Sequence, residues 1–407
     1  MSKNIVICAD GTGNSFGRQV SNVARMIKFL ALDSPSRQVV VYDQGIGTDA
    51  RRWREIVEFR DNPKAEAILD PEALHVLPGP HESWFKPAEW IALWRGLAFG
   101  YGLKENVSQM YLELAKLHEK DDRVFLFGFS RGAFTVRALA GLIYRCGLPQ
   151  CRHADLTRRF ERAWELFVPM HPLESKTEEF RATEGQRECP IHFLGIWDTV
   201  KSYGGLRPIM LPHLRHNPIV AYVRHALAFD ERRGWFDATT WGRLDLDRKP
   251  DAAWSRLSEP VRHQIEQQDI EEVWFRGCHS DIGGGDREEQ SARIALRWML
   301  GEAAQAGLRL NDNGCRLLES PPERERAEVH ESDALAWRLI ELWPRLTIDN
   351  SGRWPAPVAA PTGPAVRHPD LLLRNGLVTV HESVDALPGA QGVKRVATKN
   401  LPSVSRR

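Results

Sequence analysis

The stretch that decides the fold is RVFLFGFSRGAFTVRALAGLI, residues 123–143. An apolar run ends in GFSRG, residues 128–132, and a helix-like sequence follows at once. A serine between a buried strand and a helix, flanked by small residues, is typical of a nucleophile elbow. Gly128 and Gly132 would leave room for the sharp turn at Ser130. Because a Gly-x-Ser-x-Gly sequence also arises by chance, a purely structural Gly-Ser turn is the alternative.

Five apolar runs with little alternation predict buried strands, at Asn4–Ala9, Gln38–Asp43, Arg123–Phe129, 191–198 and 272–277. Continuous apolar strands suit a parallel sheet that is covered on both faces. Helical patterns lie between them, at 22–32, 104–119, 134–145, 218–230 and 291–306. Strands that alternate with helices predict an α/β fold: a mostly parallel twisted sheet with helices on both faces.

The domain organisation follows from where this alternation is interrupted. We expect one domain over residues 1–350, with largely helical insertions at about 49–103, 150–190 and 231–270, and a Pro/Gly-rich C-terminal extension over 351–407. In the first insertion, Trp90, Trp94 and Leu97 would share one helical face. This face predicts either a lid or lipid-contacting surface, or a helix packed on its own domain.

Composition and charge exclude several classes of protein. The chain has 407 residues and a net charge of +1, from 55 basic and 54 acidic residues, which gives no support for nucleic-acid binding. Its six cysteines form no Cys-x-x-Cys pair, which indicates free thiols and a reducing compartment. The N-terminus turns polar too early for a signal peptide, and no apolar run approaches the ~20 residues of a membrane span. We therefore expect a chain made in the cytoplasm, with export by a route that needs no N-terminal signal left open.

Three residue types at the strand ends predict a catalytic triad, because chemistry in such sheets gathers at the carboxyl ends of the strands. Ser130 needs a base to become a nucleophile, and His279 follows an apolar strand in a Gly-rich segment. Asp198 closes another apolar strand and would orient the imidazole. Asp230 and Asp281 are the rival acids, and a structural role remains the alternative for each triad member.

The loop DGTGNS, residues 10–15, predicts part of an oxyanion hole. In α/β hydrolases, one backbone N–H comes from a loop after an early strand and one from the residue after the nucleophile. Gly11 and Thr12 would supply the first and Arg131 the second. A haloacid-dehalogenase-type phosphatase would need an aspartate where Cys8 stands, so that alternative lacks its nucleophile. The remaining alternative is a Gly-rich turn that enters a helix.

Cofactor motifs are missing from the sequence. It contains no G-x-x-x-x-G-K-[ST] and no G-x-G-x-x-G after a strand. Cys278, His279 and Asp281 lie close together, but their spacing matches no zinc pattern. The glycines at 283–285 fit either an anion-binding nest or a flexible loop. We therefore expect neither a cofactor nor a metal.

Six motifs together resemble a known family. They are DGTGNS (10–15), YDQGIGT (42–48), GFSRGAFTVR (128–137), GIWDTV (195–200), HALAFDERR (225–233) and GCHSDIGGG (277–285). In this order they are similar to the family called domain of unknown function 2235, whose studied members are bacterial phospholipase effectors of type VI secretion systems. The resemblance covers residues 4 to about 310.

The resemblance implies an α/β-hydrolase-like fold with Ser130, Asp198 and His279 as the triad. It also implies hydrolysis of a lipid ester, peripheral contact with a membrane, a secretion or immunity partner protein, and export by a type VI system. Two alternatives stay open on the residues alone. One is a small-ester or thioester hydrolase without a membrane role, and the other is a non-catalytic binding protein that keeps the hydrolase fold.

Overall fold

The structure is a computed structural model that describes most of the region from residue 2 to residue 320. The described ranges are 2–11, 20–43, 71–77, 102–150, 155–169, 174–184, 186–200, 203–204, 207–233, 236, 238–241, 257–285, 290–320, 379–381 and 394–396. The predicted Trp90–Trp94–Leu97 face and Thr12 lie outside these ranges. Within them, no helix is both long enough and apolar enough to cross a membrane.

The strands alternate with helices along the chain. The strands are β1 Asn4–Ala9, β2 Gln38–Asp43, β3 Leu74–Val76, β4 Arg123–Phe129, β5 Leu148–Pro149, β6 Gln186–Arg187, β7 Ile191–Trp197, β8 Tyr203–Gly204, β9 Arg207–Pro208, β10 Val220–Ala228, β11 Asp269–Phe275, β12 Thr379–His381 and β13 Lys394–Val396. The helices are α1 Asn22–Ile27, α2 Leu103–Leu117, α3 Arg131–Cys146, α4 Leu156–Phe167, α5 Glu174–Thr183, α6 Glu259–Glu266, α7 His279–Gly283, α8 Gln290–Gln305 and α9 Asp312–Glu319. A short 3₁₀ helix, Pro71–Ala73, precedes β3.

Nine of these strands form one parallel sheet in the order β13-β12-β11-β10-β7-β4-β1-β2-β3. The carboxyl ends of the central strands lie in register, since Ala9 pairs with Gly128 and Phe129 pairs with Trp197. The segments that follow β1, β4, β7, β10 and β11 therefore meet at one edge. This arrangement is the predicted mostly parallel, α/β-hydrolase-like fold.

The core lies on both faces of the sheet because successive strand residues point to opposite sides. On one face, Ile5 and Ile7 of β1 pack with helices α2 and α3. On the other face, Val6 and Cys8 pack with α1 and α8. All six residues of β1 are buried, which is the pattern that a strand covered on both faces requires.

One predicted element is wrong: the segment 218–230, predicted as a helix, contains strand β10, Val220–Ala228. β10 lies between β7 and β11 and is buried at nearly every position. Periodicity alone cannot separate a short buried strand from a buried helix. Here parallel pairing with β7 and β11 supplies the backbone hydrogen bonds, and the segment therefore forms a strand. The error matters because the segment after β10 thereby reaches the same edge as the other strand ends.

The segments predicted as insertions and extension contribute regular structure. The segment at 150–190 contains α4, α5 and β6, and the segment at 231–270 contains α6. Within the C-terminal 351–407, β12 pairs with β11 and β13 pairs with β12. The described part of this C-terminal segment thus adds two short strands to the main sheet.

Candidate active site

Ser130 occupies a strained turn between β4 and α3. Its φ of 57° and ψ of −116° are rare for a residue with a side chain. A Cβ at Gly132 would lie 2.0 Å from the carbonyl oxygen of Ala9, and one at Gly128 would lie 2.6 Å from the nitrogen of Ala133. Only glycine fits at either position, so the two glycines predicted for an elbow are required by the packing of the turn. Such strain concentrates at functional sites.

Asp198 follows the neighbouring strand β7 and lies beside the Ser130 turn. The N–H of Ser130 donates to the carbonyl oxygen of Trp197 at 3.0 Å, which joins the two strand ends. Asp198 is fully buried and has a φ of 40°. Its Oδ1 accepts the N–H of Ala228 at 3.0 Å, so β10 fixes the orientation of the carboxylate.

His279 is the first residue of α7 and pairs with Asp198. The distance from His279 Nδ1 to Asp198 Oδ2 is 2.6 Å. The imidazole packs against the rings of Phe129 and Phe236, at centroid distances of 4.6 and 4.8 Å. With Nδ1–H donating to the carboxylate, Nε2 carries the basic lone pair, which is the tautomer that a general base needs.

Burial lowers the pKa of His279, and the nearby Asp198 carboxylate opposes that shift. Desolvation disfavours the imidazolium, whereas a hydrogen-bonded anion favours it. The net direction is downward from the ordinary value of 6.5. The imidazole is therefore neutral, and able to accept a proton, near neutral pH.

The two rival acids serve other groups. Oδ2 of Asp230 accepts the N–H of Gly277 at 2.7 Å. Oδ2 of Asp281 accepts the N–H of Cys278 at 2.8 Å and helps to cap α7. Of the three aspartates, Asp198 is the one hydrogen-bonded to the imidazole of His279.

Two of the residues predicted for the oxyanion hole, Gly11 and Arg131, lie next to Ser130. Arg131 opens α3, and the first N–H groups of a helix have no acceptor within that helix. A Cβ at Gly11 would lie 3.3 Å from the Cβ of Ser130, so Gly11 borders the serine closely. The N–H of Gly11 donates to Oδ1 of Asp10 at 2.7 Å. This amide is thus engaged with Asp10, and Thr12 lies outside the described residues.

Asp10 anchors the loop that begins at Gly11. Its Oδ2 accepts hydrogen bonds from the hydroxyls of Ser21 at 2.7 Å and Tyr42 at 2.8 Å. Burial raises the pKa of Asp10 to about 6, although the three hydrogen bonds favour the charged form. Ser21 also caps α1 by accepting the N–H of Ala24. The carboxylate therefore joins the ends of β1 and β2 to the start of α1.

A second histidine–carboxylate pair lies behind Asp198. The N–H of Thr199 donates to Nε2 of His225 at 3.2 Å, and Nδ1 of His225 lies 2.8 Å from Oε1 of Glu272. Burial lowers the pKa of His225, so the ring is neutral and can accept the Thr199 N–H. This pair supports the strained turn that carries Asp198.

Sequence reasoning missed the role of this pair and of Glu231. Oε2 of Glu231 accepts the N–H of His279 at 3.0 Å. Both His225 and Glu231 lie in the motif HALAFDERR, residues 225–233, whose local sequence indicates no role for either side chain. The prediction of a helix over 218–230 concealed that Glu231 follows a strand of the sheet. Within the described residues, no group of three or more His, Cys, Asp or Glu side chains could hold a metal ion.

Comparison with known proteins gives one family and a few distant relatives. Residues 3–302 match the family described as the catalytic domain of Tle1-like phospholipase effectors of type VI secretion systems. The uncharacterized protein YEL023C of Saccharomyces cerevisiae is 32% identical over 252 residues, which cover 58% of this chain and 32% of that protein. The chain thus spans about a third of the length of this relative.

Two solved structures show weak likeness. An uncharacterized protein from Pseudomonas aeruginosa aligns at 18% identity with a TM-score of 0.36, over 77% of this chain and 47% of that one. The Tle1 effector, solved bound to the VgrG spike of the type VI secretion system, aligns at 14% identity with a TM-score of 0.33. That alignment covers 79% of this chain and 77% of the effector chain.

Proposed function

We propose that this chain, which belongs to the family of Tle1-like phospholipase effector catalytic domains, is a serine hydrolase that cleaves a carboxylic ester of a lipid. The family itself indicates a lipase- or phospholipase-like hydrolase. The observation that carries the proposal is the 2.6 Å contact between His279 and Asp198 beside the strained turn of Ser130. A buried histidine–carboxylate pair next to an elbow serine is the arrangement that activates a hydroxyl for attack.

In this mechanism Ser130 Oγ attacks the ester carbonyl while His279 Nε2 accepts the hydroxyl proton. The tetrahedral intermediate collapses, and the alcohol leaves with the proton that His279 returns to it. Water then attacks the acyl-serine with His279 as base, and the acyl–Oγ bond breaks as His279 returns the proton to Ser130 Oγ. The carboxylic acid departs. Asp198 holds the Nδ1–H tautomer and stabilises the transient imidazolium.

The proposed oxyanion hole uses the backbone N–H of Arg131 and one from Gly11 or Thr12. Such a donor typically contributes about 2.7–4 kcal/mol to the transition state, because it is aimed where the charge develops. Arg131 at the start of α3 has the added advantage of the positive end of the helix dipole. For Gly11 to donate, its N–H would have to be shared with, or released from, Asp10.

A lipid substrate is proposed on the family. At the site itself, the rings of Phe129 and Phe236 pack on the imidazole of His279. Peripheral membrane contact, export by a type VI system and binding to a spike or immunity protein are proposed on the family alone.

The test is Ser130→Ala in the full chain, with the exposed Ser36→Ala as the matched control. We expect loss of phospholipid hydrolysis in vesicles and loss of fluorophosphonate labelling in the first variant, with both retained in the second. Full activity and labelling in Ser130→Ala would overturn the proposal. A preference for short soluble p-nitrophenyl esters over vesicles would instead support the alternative, a small-ester or thioester hydrolase. A well-folded wild-type chain without labelling would favour a binding protein.

A further inference from the structure

Glu231 is a buried carboxylate that holds the backbone of His279. Its side chain has no exposed surface, and its Oε2 accepts the N–H of His279 at 3.0 Å. A buried charge is costly unless it is paired. Arg233, two residues further along the chain, forms an ion pair with Glu231.

Arg233 donates hydrogen bonds to the same carboxylate from its backbone and from its side chain. Its backbone N–H and its Nε donate to Oε1 of Glu231 at 2.7 and 2.9 Å, and its Nη2 donates to Oε2 at 2.7 Å. This two-pronged geometry gives strong charge-assisted hydrogen bonds and fixes the plane of the guanidinium.

Arg233 also lies over an aromatic ring that contacts His279. The centre of the guanidinium is 3.8 Å from the ring centroid of Phe236, a cation–π contact. The Phe236 ring meets the imidazole of His279 edge-on, at 4.8 Å between centroids. Glu231, Arg233 and Phe236 therefore form a clamp that touches His279 both at its backbone and at its ring.

We propose that Glu231 and Arg233 are positioning residues of the hydrolase site, which hold His279 in place and balance the charge beside its imidazole. The inference rests on the proposed function, in which His279 is the general base. It assigns a purpose to Glu231 and Arg233 within the motif HALAFDERR, residues 225–233.

Charged groups of both signs lie near the imidazole of His279 and shift its pKa in opposite directions. Asp198 from the end of β7 and Glu231 from the end of β10 raise the pKa of His279, whereas Arg233 and burial lower it. Phe129 and Phe236, which pack on the ring, are neutral. On α7 itself, Asp281 faces the N–H of Cys278. Removing one member of the Glu231–Arg233 pair therefore changes the net charge near the imidazole by one unit.

The experiment measures the pKa of His279 by NMR titration of the full chain carrying ¹³C-labelled histidine, with His279→Asn to assign the signal. We expect Arg233→Met to raise the pKa and Glu231→Gln to lower it, each by about 0.5–1 unit, the scale expected for one partly screened neighbouring charge. The double variant should titrate near the wild type, because it removes both charges. The acidic limb of kcat/KM should move in the same directions.

Two further variants separate the effect of the charge of Arg233 from the effect of its hydrogen-bond geometry. Arg233→Lys keeps the charge but not the pair of side-chain hydrogen bonds to Glu231, so we expect an unchanged pKa of His279 and a severalfold fall in kcat. Arg232→Met makes the same charge change at the exposed neighbouring residue and should leave both the pKa and kcat unchanged.

Shifts of the same sign in Arg233→Met and Glu231→Gln, or no shift in either, would overturn the inference. If Glu231→Gln fails to fold, the upward shift in Arg233→Met still decides. The titration needs no turnover, so it gives a result even if the chain has no esterase activity. Failure of the proposed function would appear separately, as turnover that does not depend on Ser130.

Discussion

Oδ2 of Asp198 lies 2.6 Å from Nδ1 of His279, although 81 positions separate the two residues in the sequence. The contact exists because β7, β10 and β11 lie side by side and end at one edge of the sheet. Ser130 reaches the same edge through the pairing of Phe129 with Trp197. The geometry of the site is therefore a consequence of strand order, and it leads to four predictions.

Replacing Asp198 should remove the group that orients the His279 imidazole without unfolding the chain. In Asp198→Asn, Oδ1 can still accept the N–H of Ala228, but the amide no longer stabilises the Nδ1–H tautomer of His279. We expect kcat to fall by roughly 10³–10⁴-fold. Steady-state kinetics with a soluble ester and circular dichroism check this result.

The control for that substitution is Asp230→Asn, since Asp230 lies at the same sheet edge but binds Gly277. It should retain most of the activity. Equal losses in the two variants would contradict the assignment of Asp198.

The pH dependence of activity follows from the lowered pKa of His279. A general base must be neutral, so kcat/KM should rise with pH through the folded-state pKa of His279. We expect the midpoint of this acidic limb below the ordinary value of 6.5. The profile of kcat/KM against pH measures it, and a midpoint above 6.5 would show that Asp198 outweighs desolvation.

Substitutions at two glycines should separate an effect on folding stability from an effect on activity. In Gly132→Ala the new Cβ would meet the Ala9 carbonyl oxygen at 2.0 Å, so we expect a loss of about 3 kcal/mol or more in the free energy of unfolding. In Gly11→Ala the nearest atom is the Ser130 Cβ, at 3.3 Å. This variant should fold but lose activity. Urea denaturation and kinetics distinguish them, and similar stabilities would refute the role of Gly132.

Asp10 should make folding stability depend on pH. Its folded pKa of about 6 lies above the ordinary value of 3.8, so the folded state holds the proton more tightly than the unfolded state. The stability from this group is present below pH 3.8 and is lost as pH rises towards 6, by about 3 kcal/mol in all. Asp10→Asn should remove this dependence.

Urea denaturation of both proteins at pH 4 to 7 checks the prediction for Asp10. The stability of Asp10→Asn relative to the wild type should rise across this range. A constant difference would mean that Asp10 ionises as freely in the folded chain as in the unfolded one. Tyr42→Phe, which removes one hydrogen bond to Oδ2, should raise the pKa of Asp10 further, because the charged form loses a donor. The loss of stability should then extend to higher pH.

Much of the fold could be predicted from short-range sequence patterns. The runs Asn4–Ala9, Gln38–Asp43 and Arg123–Phe129 are strands with the predicted bounds. The pattern at 134–145 marked α3, which begins earlier, at Arg131, because the elbow leads directly into the helix. These elements are predictable because continuous apolar runs and glycine placement are local properties of the chain.

The strand β10 could not be predicted in the same way. VAYVRHALA, residues 220–228, mixes branched and helix-favouring residues, so its local preferences are nearly balanced. Pairing with β7 and β11 on either side decides its conformation. The role of Glu231 depended on that outcome, which is why the sequence did not indicate it.

The sequence by itself determined the strand-to-helix turn at Ser130 and the residue types of the proposed hydrolase site, because these depend on neighbours a few positions apart. Only the tertiary structure decided which aspartate pairs with His279, that the Gly11 N–H is bound by Asp10, and that Glu231 accepts the backbone N–H of His279. Those contacts join residues from different strand ends. Their geometry depends on strand order and register, which are fixed by the packing of the whole sheet and not by any local segment.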